Sequence, residues 1–200
     1  MPISWTVFAV CFFMPLFAAF FMKQRLLKMN ISDNGIAILK KLEGAVKIGN
    51  KHVIYDDKNG RPVDTNAILP RGATIGYGHL IKNGEDFKDG ISEDKATQLL
   101  RTDIAITENV VRDNVSASIA QNQFDALVIF AFNIGTKNFI NSTVLKYIND
   151  PNFQSPIYPD LESAWKAWNR SNGTVSTGLI NRRNAEWQMF KNRANPGFVY

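Results

Sequence analysis

The first thirty residues of this 200-residue chain differ in character from all that follow. No charged residue occurs between positions 3 and 22. A twenty-residue helix extends about 30 Å, which matches the hydrocarbon core of a bilayer. Trp5 lies near one end of this run, and Lys23, Arg25 and Lys28 follow the other end. The pattern predicts a transmembrane anchor in residues 1–30, spanning the membrane at 3–22, and one compact domain in residues 31–200.

A cleaved signal peptide is the main alternative for the apolar segment. A secretory signal needs a basic start, a shorter apolar run and a small-residue cleavage site. The start of this chain carries no Lys or Arg, and residues 23–28 contain no A-x-A site. An uncleaved anchor therefore fits the segment better than a signal peptide or a hydrophobic arm at a mis-assigned start.

The charge and cysteine content exclude several kinds of protein. Residues 31–200 hold 20 of the 23 Lys and Arg against all 18 Asp and Glu, a net charge of +2. No concentrated basic stripe is present, so no nucleic-acid partner is expected. Cys11 is the only cysteine and lies in the apolar run, which excludes an intramolecular disulfide. His52 and His79 are the only histidines, so we expect no metal site.

Hydrophobic spacing predicts a helix, then a small β-region, then a series of helices. Ser32 or Asp33 is the expected N-cap of the first helix, and Gly44 its stop. The segments HVIY and ATIGYGHLI are predicted strands, with the turn DDKNG after the first. Further helices are expected to begin near Ser92, Ala120, Ser142, Leu161 and Leu179. This order predicts an α+β fold that is mostly helical.

Acidic side chains and a threonine gather around the predicted β-region. Glu43 ends the first helix, Asp56 and Asp57 lie in the turn after a strand, and Thr74 opens the glycine-rich strand. Hydrolysis of a glycosidic bond needs one protonated carboxyl and one ionised carboxylate. Glu43 lies at a helix C-terminus, where the dipole disfavours negative charge, as suits the acid. Without further evidence, a surface carboxylate at a helix end is ordinarily just solvated.

Five sequence blocks extend this pattern along the chain. E-G, Y-x-D-x-x-G and T-I-G-Y-G-H occur in order at 43–44, 55–60 and 74–79. NQFDALVIFAFNIG follows at 122–135, and GLINRRNAEWQMF at 178–190. Together they resemble the phage-type lysozymes, glycoside hydrolase family 24, over roughly residues 33–191. The resemblance implies a lysozyme-like, two-lobed α+β domain, with a small antiparallel β-region and a helical lobe, here preceded by a hydrophobic helix.

The resemblance also implies roles for five residues. Glu43 would be the general acid and Asp57 the second carboxylate. Thr74 would position the attacking water, consistent with an inverting mechanism. Asn133 and Gly135 end the helix that borders the cleft in this family, so they are expected at the substrate. Such enzymes use no metal and no organic cofactor.

Two departures from the compact members of the family lie in the predicted β-region. The spacing from Glu43 to Tyr55 is longer, and residues 61–73 form a further insertion. Asp56 therefore stays an alternative to Asp57, although only Asp57 keeps the D-x-x-G spacing to Gly60. These insertions could alter the grip on substrate.

The implied function is hydrolysis of the β-1,4 bond between N-acetylmuramic acid and N-acetylglucosamine in peptidoglycan, by a phage endolysin or an antibacterial effector. The expected partners are glycan strands, the membrane, and a holin or an immunity protein; the expected state is a monomer. A lytic transglycosylase is one alternative, and a non-enzymatic, membrane-anchored wall-binding protein is another. The expected location is the inner membrane with the domain facing periplasmic peptidoglycan, although the positive-inside rule reads Lys23, Arg25 and Lys28 as cytoplasmic.

Other polar and aromatic residues are expected to be structural. His79 is predicted to form hydrogen bonds near a strand end, and His52 to be solvent-exposed in the inserted loop. Arg182 and Glu186 are spaced for an ion pair on one helix. The predicted core aromatic residues are Trp165, Trp168 and Trp187.

Overall fold

The structure, a computed structural model, describes residues 24–65 and 68–192. The anchor predicted at residues 3–22 lies outside these ranges. Within them, no helix combines the length and apolarity needed to cross a bilayer. The chain divides into two compact units, of which the first is Ser32–Thr107. The second joins the described residues 24–31 with residues 108–192.

The first unit begins with a helix and continues into short strands. Its helix α1 spans Asp33–Glu43. The strands are β1 (Lys47–Ile48), β2 (Lys51–His52), β3 (Tyr55–Asp56), β4 (Arg61–Pro62), β5 (Ala73–Ile75) and β6 (His79–Leu80). Strands β1 and β2 form a separate hairpin, and the other four form an antiparallel sheet in the order β4-β3-β5-β6. The predicted antiparallel β-region is confirmed.

The ends of α1 follow the sequence signals. The Ser32 hydroxyl oxygen accepts a hydrogen bond from the Gly35 amide at 3.1 Å. At the other end Gly44 adopts a φ of +69°, and its amide donates to the Lys40 carbonyl at 3.0 Å. A positive φ carries no steric cost at glycine, so the chain can turn sharply directly after Glu43.

Two predicted strands are each divided in the structure. The segment HVIY contributes to both β2 and β3, and ATIGYGHLI folds into the hairpin β5–β6. Gly76 and Gly78 lie between β5 and β6 with φ values of +67° and +89°. These left-handed conformations turn the chain where alternation alone predicted a continuous strand. Behind the sheet lies a buried apolar cluster of Ile54, Ala73, Ile75, Ile91, Ala96 and Leu99.

Helix α2 spans Glu93–Asn114, and its part from Glu108 belongs to the second unit. The second unit continues with α3 (Gln121–Ile134), α4 (Thr136–Ile140), α5 (Thr143–Asn149), α6 (Leu161–Lys166), β7 (Arg170–Ser171), β8 (Thr174–Val175) and α7 (Thr177–Lys191). The sequence did not predict the short helix α4. The hairpin β7–β8 replaces the simple turn expected before the last helix.

The core of the second unit forms around α3, whose residues from Phe124 to Ala131 are all buried. The Phe130 ring lies 4.6 Å from the Trp165 ring, and the Trp165 ring lies 5.2 Å from the Phe190 ring. Trp165 is fully buried, as predicted, while Trp168 and Trp187 are only half-buried. The apolar surface of α3 thus fixes the central position that its sequence predicted.

Candidate active site

Glu43 is the last residue of α1 and is half-buried. The capped turn at Gly44 ends the helix there, so the backbone position of the carboxyl is set by the helix end. This agrees with the prediction that Glu43 closes the first helix.

The turn after β3 distinguishes the two neighbouring aspartates. Both carboxylate oxygens of Asp56 accept hydrogen bonds inside the turn, from the Lys58 amide at 3.0 Å and from Asn59 Nδ2 at 3.0 Å. The Asp56 carbonyl accepts a further bond from the Gly60 amide at 2.8 Å. Asp57 takes no part in these turn bonds and is exposed. Asp56 therefore builds the turn, and Asp57 is the carboxylate available to a ligand.

Thr74 lies in β5 and is almost fully buried. It pairs with Tyr55 of β3, and its hydroxyl donates to the Tyr55 carbonyl at 3.5 Å. The β3–β5 register thus places Thr74 beside the strand that leads directly to Asp57. Glu43, Asp57 and Thr74 all belong to the first unit.

Asn133 and Gly135, the expected substrate contacts, belong to the second unit. Asn133 is exposed near the end of α3, and its Oδ1 accepts from Arg183 Nη2 at 2.6 Å. Gly135 follows α3 with a φ of +87°, and its amide donates to the Ala131 carbonyl at 3.0 Å. Gly135 therefore ends the helix, and Asn133 presents a polar side chain held by α7.

A buried carboxylate on α7 organises the side chains beneath Asn133. Glu186 is fully buried and accepts from Trp165 Nε1 at 3.0 Å, Arg182 Nε at 3.2 Å and Arg183 Nη2 at 2.9 Å. The predicted Arg182–Glu186 ion pair is confirmed. The bond from Arg183 to Asn133 was not predicted, because it joins residues 50 positions apart.

A second carboxylate missed from sequence lies at the start of α2. Glu93 Oε1 accepts hydrogen bonds from Lys40 Nζ at 3.0 Å and from the Tyr77 hydroxyl at 2.5 Å. Glu93 Oε2 accepts a hydrogen bond from Lys47 Nζ at 2.8 Å and contacts His52 Nε2 at 2.9 Å. Burial acts to raise the pKa of Glu93, but these four hydrogen bonds outweigh burial and hold it well below its usual range.

The prediction that His52 is solvent-exposed is wrong, because its side chain is fully buried. Its backbone exchanges two hydrogen bonds with Ile91, each 2.9 Å long, and its ring contacts Glu93. His79 is also buried, with Nδ1 2.9 Å from Asp103 and Nε2 3.0 Å from Glu85. The structural role predicted for His79 is confirmed.

The part of the chain that the structure describes contains no group of three or more His, Cys, Asp or Glu side chains arranged to hold a metal ion.

Sequence comparison assigns the family. The sequence profile named phage lysozyme matches residues 49–186. The chain belongs to the phage lysozyme family. The endolysin of Bacillus phage B103 is 37% identical over 164 residues, which cover 81% of this chain and 54% of that protein. This chain thus spans about half the length of the Bacillus phage relative.

Two further relatives match over nearly their whole length. The endolysin of Salmonella phage P22 is 33% identical, covering 81% of this chain and 98% of that protein. The solved muramidase domain of SpmX from Asticaccaulis excentricus superposes with a TM-score of 0.63 at 29% identity. That match covers 82% of this chain and 99% of the domain. The lysozyme-like α+β fold predicted from sequence is confirmed.

Proposed function

We propose that this phage lysozyme family member is a peptidoglycan hydrolase, a muramidase that cleaves the β-1,4 bond between N-acetylmuramic acid and N-acetylglucosamine. The observation that carries the proposal is the difference between the two aspartates in the turn after β3. Both Asp56 oxygens accept hydrogen bonds within the turn, whereas Asp57 is exposed next to the strand that pairs with Thr74. The family's general-acid position is filled by Glu43. Similarity to two phage endolysins and a muramidase domain supports the assignment.

The proposed reaction uses two carboxyl groups and one water. Glu43 is protonated and gives its proton to the glycosidic oxygen as the bond to the anomeric carbon breaks. Thr74 orients a water molecule, which attacks that carbon from the opposite face. Asp57 is ionised and accepts the proton that the water loses. The configuration at the anomeric carbon is inverted, so the new reducing end is the α-anomer.

Loss of turbidity of purified peptidoglycan tests the catalytic roles. Glu43→Gln and Asp57→Asn should each lower the rate at least about 100-fold, since each removes one proton-transfer group. Asp56→Asn is the matched control: its one side-chain oxygen can still accept from the Lys58 amide, while the bond from Asn59 Nδ2 is lost. The control keeps both proton-transfer groups, so its rate should fall far less than that of Asp57→Asn. Equal activity in wild type and the Asp57→Asn variant would exclude Asp57 from catalysis.

The products separate hydrolysis from the alternatives. Mass spectrometry of digested wall should find hydrated reducing ends, and NMR early in the reaction should find the α-anomer. Predominant anhydro-muramyl products would instead identify a lytic transglycosylase. Binding to the wall without any cleavage would identify a non-enzymatic wall-binding protein.

The proposal includes a membrane tether formed by residues 3–22, with the domain facing the periplasm of the host or of a rival cell. A holin or an immunity protein is the proposed partner in those two settings, and the enzyme is proposed to act as a monomer. The full chain should sediment with membranes after a high-salt wash, whereas a Phe12→Arg, Phe17→Arg double variant should not. External protease should digest the domain in spheroplasts. Protection from protease would place the domain in the cytoplasm, as Lys23, Arg25 and Lys28 suggest.

A further inference from the structure

We propose that Glu93 is a positioning residue for Glu43. Its carboxylate bonds to the chain segments before and after Glu43, and it also bonds to the turn that follows Thr74. The inference rests on the proposed function, in which Glu43 is the general acid. All the residues involved belong to the first unit. Glu93 acts through its neighbours and needs no contact with substrate.

The chain before and after Glu43 is held by the two oxygens of Glu93. Lys40 lies about one turn before Glu43 on α1, and its Nζ is 3.0 Å from Glu93 Oε1. Lys47 begins β1 just after the turn at Gly44, and its Nζ is 2.8 Å from Glu93 Oε2. The end of α1 and the hairpin that follows it therefore share one anionic anchor.

The turn between β5 and β6 is held by the same carboxylate. The Tyr77 hydroxyl donates to Glu93 Oε1 at 2.5 Å, and the Lys40 ammonium lies 5.5 Å from the centre of the Tyr77 ring. Tyr77 follows β5, the strand that carries Thr74. Glu93 thus joins the segment of the general acid to the segment of the proposed water-positioning threonine.

The anchor itself is fixed by backbone structure. Glu93 is the first residue of α2, where the helix dipole favours a carboxylate. The Ser92 hydroxyl oxygen accepts from the Lys95 amide at 3.2 Å, and the preceding Ile91 pairs with His52 in both directions. Glu93 therefore lies at a capped helix start that is hydrogen-bonded to β2.

The solvent exposure of the Glu93 side chain indicates whether its loss should affect stability or turnover more. Its side chain is 44% exposed, and ion pairs in contact with solvent contribute little to global stability. Catalysis is more sensitive to position, because a displacement of about 1 Å can lower a rate about 100-fold. We therefore expect a defect in turnover that is larger than the defect in folding.

Steady-state kinetics on soluble peptidoglycan fragments test the role. Glu93→Gln keeps the shape of the side chain but no longer attracts two ammonium groups, so kcat should fall about tenfold or more while KM stays within about twofold. Asp94→Asn is the matched control. It removes the same charge from the same helical turn, and Asp94 is exposed. This control should keep the wild-type kcat.

Amide hydrogen exchange gives a readout that does not require activity. Exchange in residues 44–52 should be faster in Glu93→Gln than in wild type, and unchanged in Asp94→Asn. A wild-type enzyme without muramidase activity would refute the proposed function, and the exchange result would still test the anchor. Three outcomes would overturn the inference. The kcat of Glu93→Gln could equal that of the control, or only its KM could change. The kcat defect could also be absent at temperatures well below the unfolding temperature of the variant, which would mean that the defect reflects unfolding.

Discussion

Arg183 donates a hydrogen bond from Nη2 to Oδ1 of Asn133, with a distance of 2.6 Å between the two atoms. A guanidinium group can only donate, so the Asn133 oxygen must face Arg183. Arg183 is fully buried and is itself held by Glu186, whereas Asn133 is exposed. The amide nitrogen of Asn133 is therefore the end left to donate to a ligand.

Asn133→Asp should separate this donor role from a structural role. The aspartate keeps the bond to Arg183 and adds charge to it, so the thermal midpoint should hold or rise. The proposed donor to substrate is lost, so kcat/KM should fall about tenfold, or about 1.4 kcal/mol. Asn152→Asp adds the same charge at an exposed turn of the same unit and should change neither value. Unchanged kcat/KM in Asn133→Asp would show that this amide does not donate to substrate.

Glu186→Gln should destabilise the second unit strongly. Glu186, Arg182 and Arg183 are all buried, so the substitution removes the negative charge of a buried carboxylate that both guanidinium groups contact. A loss of about 3–5 kcal/mol in the free energy of unfolding is expected. Urea denaturation measures it. Glu162→Gln removes an exposed carboxylate paired with Lys166 and should have only a small effect. Equal effects of the two substitutions would contradict the role assigned to the buried network.

The contribution of Glu93 to stability should depend on pH in the acid range. The pKa of Glu93 is lowered in the folded protein: burial opposes ionisation, but hydrogen bonds from Lys47, Tyr77, His52 and Lys40 overcome it. A lowered carboxyl pKa stabilises the fold above the unfolded value of about 4.3, and this contribution is lost as the pH falls below it. The difference in thermal midpoint between wild type and Glu93→Gln should thus shrink as the pH falls from about 5 toward 2. A difference that grows over this range would refute this sign.

Gly90→Ala should be more harmful than Gly84→Ala. Both glycines have a left-handed backbone, with φ values of +70° and +90°. A Cβ at Gly90 would lie 2.7 Å from the His52 carbonyl oxygen, while a Cβ at Gly84 would meet nothing within 4 Å. Backbone strain should cost each variant about 1 kcal/mol, and the clash should cost Gly90→Ala about 2 kcal/mol more. Thermal or urea unfolding measures both losses. Equal losses would show that the His52 carbonyl can move away from the new Cβ at no cost in stability.

Local signals in the sequence predicted most of the elements. Ser32 and Gly44 bound the first helix because a side-chain cap and a left-handed glycine act within a few residues. The spacing of Arg182 and Glu186 predicted their ion pair, because residues four apart lie on the same face of a helix. Pattern alone did not locate the hairpin turn at Gly76, since a glycine in a strand and a glycine in a turn look alike in sequence.

Some features of the candidate site could likewise be predicted from the sequence, and others required the structure. The family blocks were sufficient to select Glu43, Asp57 and Thr74, and Asp57 was preferred to Asp56 on spacing alone. Only the structure gave a physical reason, since both Asp56 oxygens are bonded within the turn. The burial of His52 and the anchor at Glu93 could not be predicted, because the Glu93 partners include Lys40, 53 positions away. The sequence by itself determined most of the helices, the family and the choice of the proposed reacting groups, which depend on near neighbours and short motifs. Tertiary structure decided which charged side chains contact one another around the candidate site, because such contacts form only when distant segments pack together.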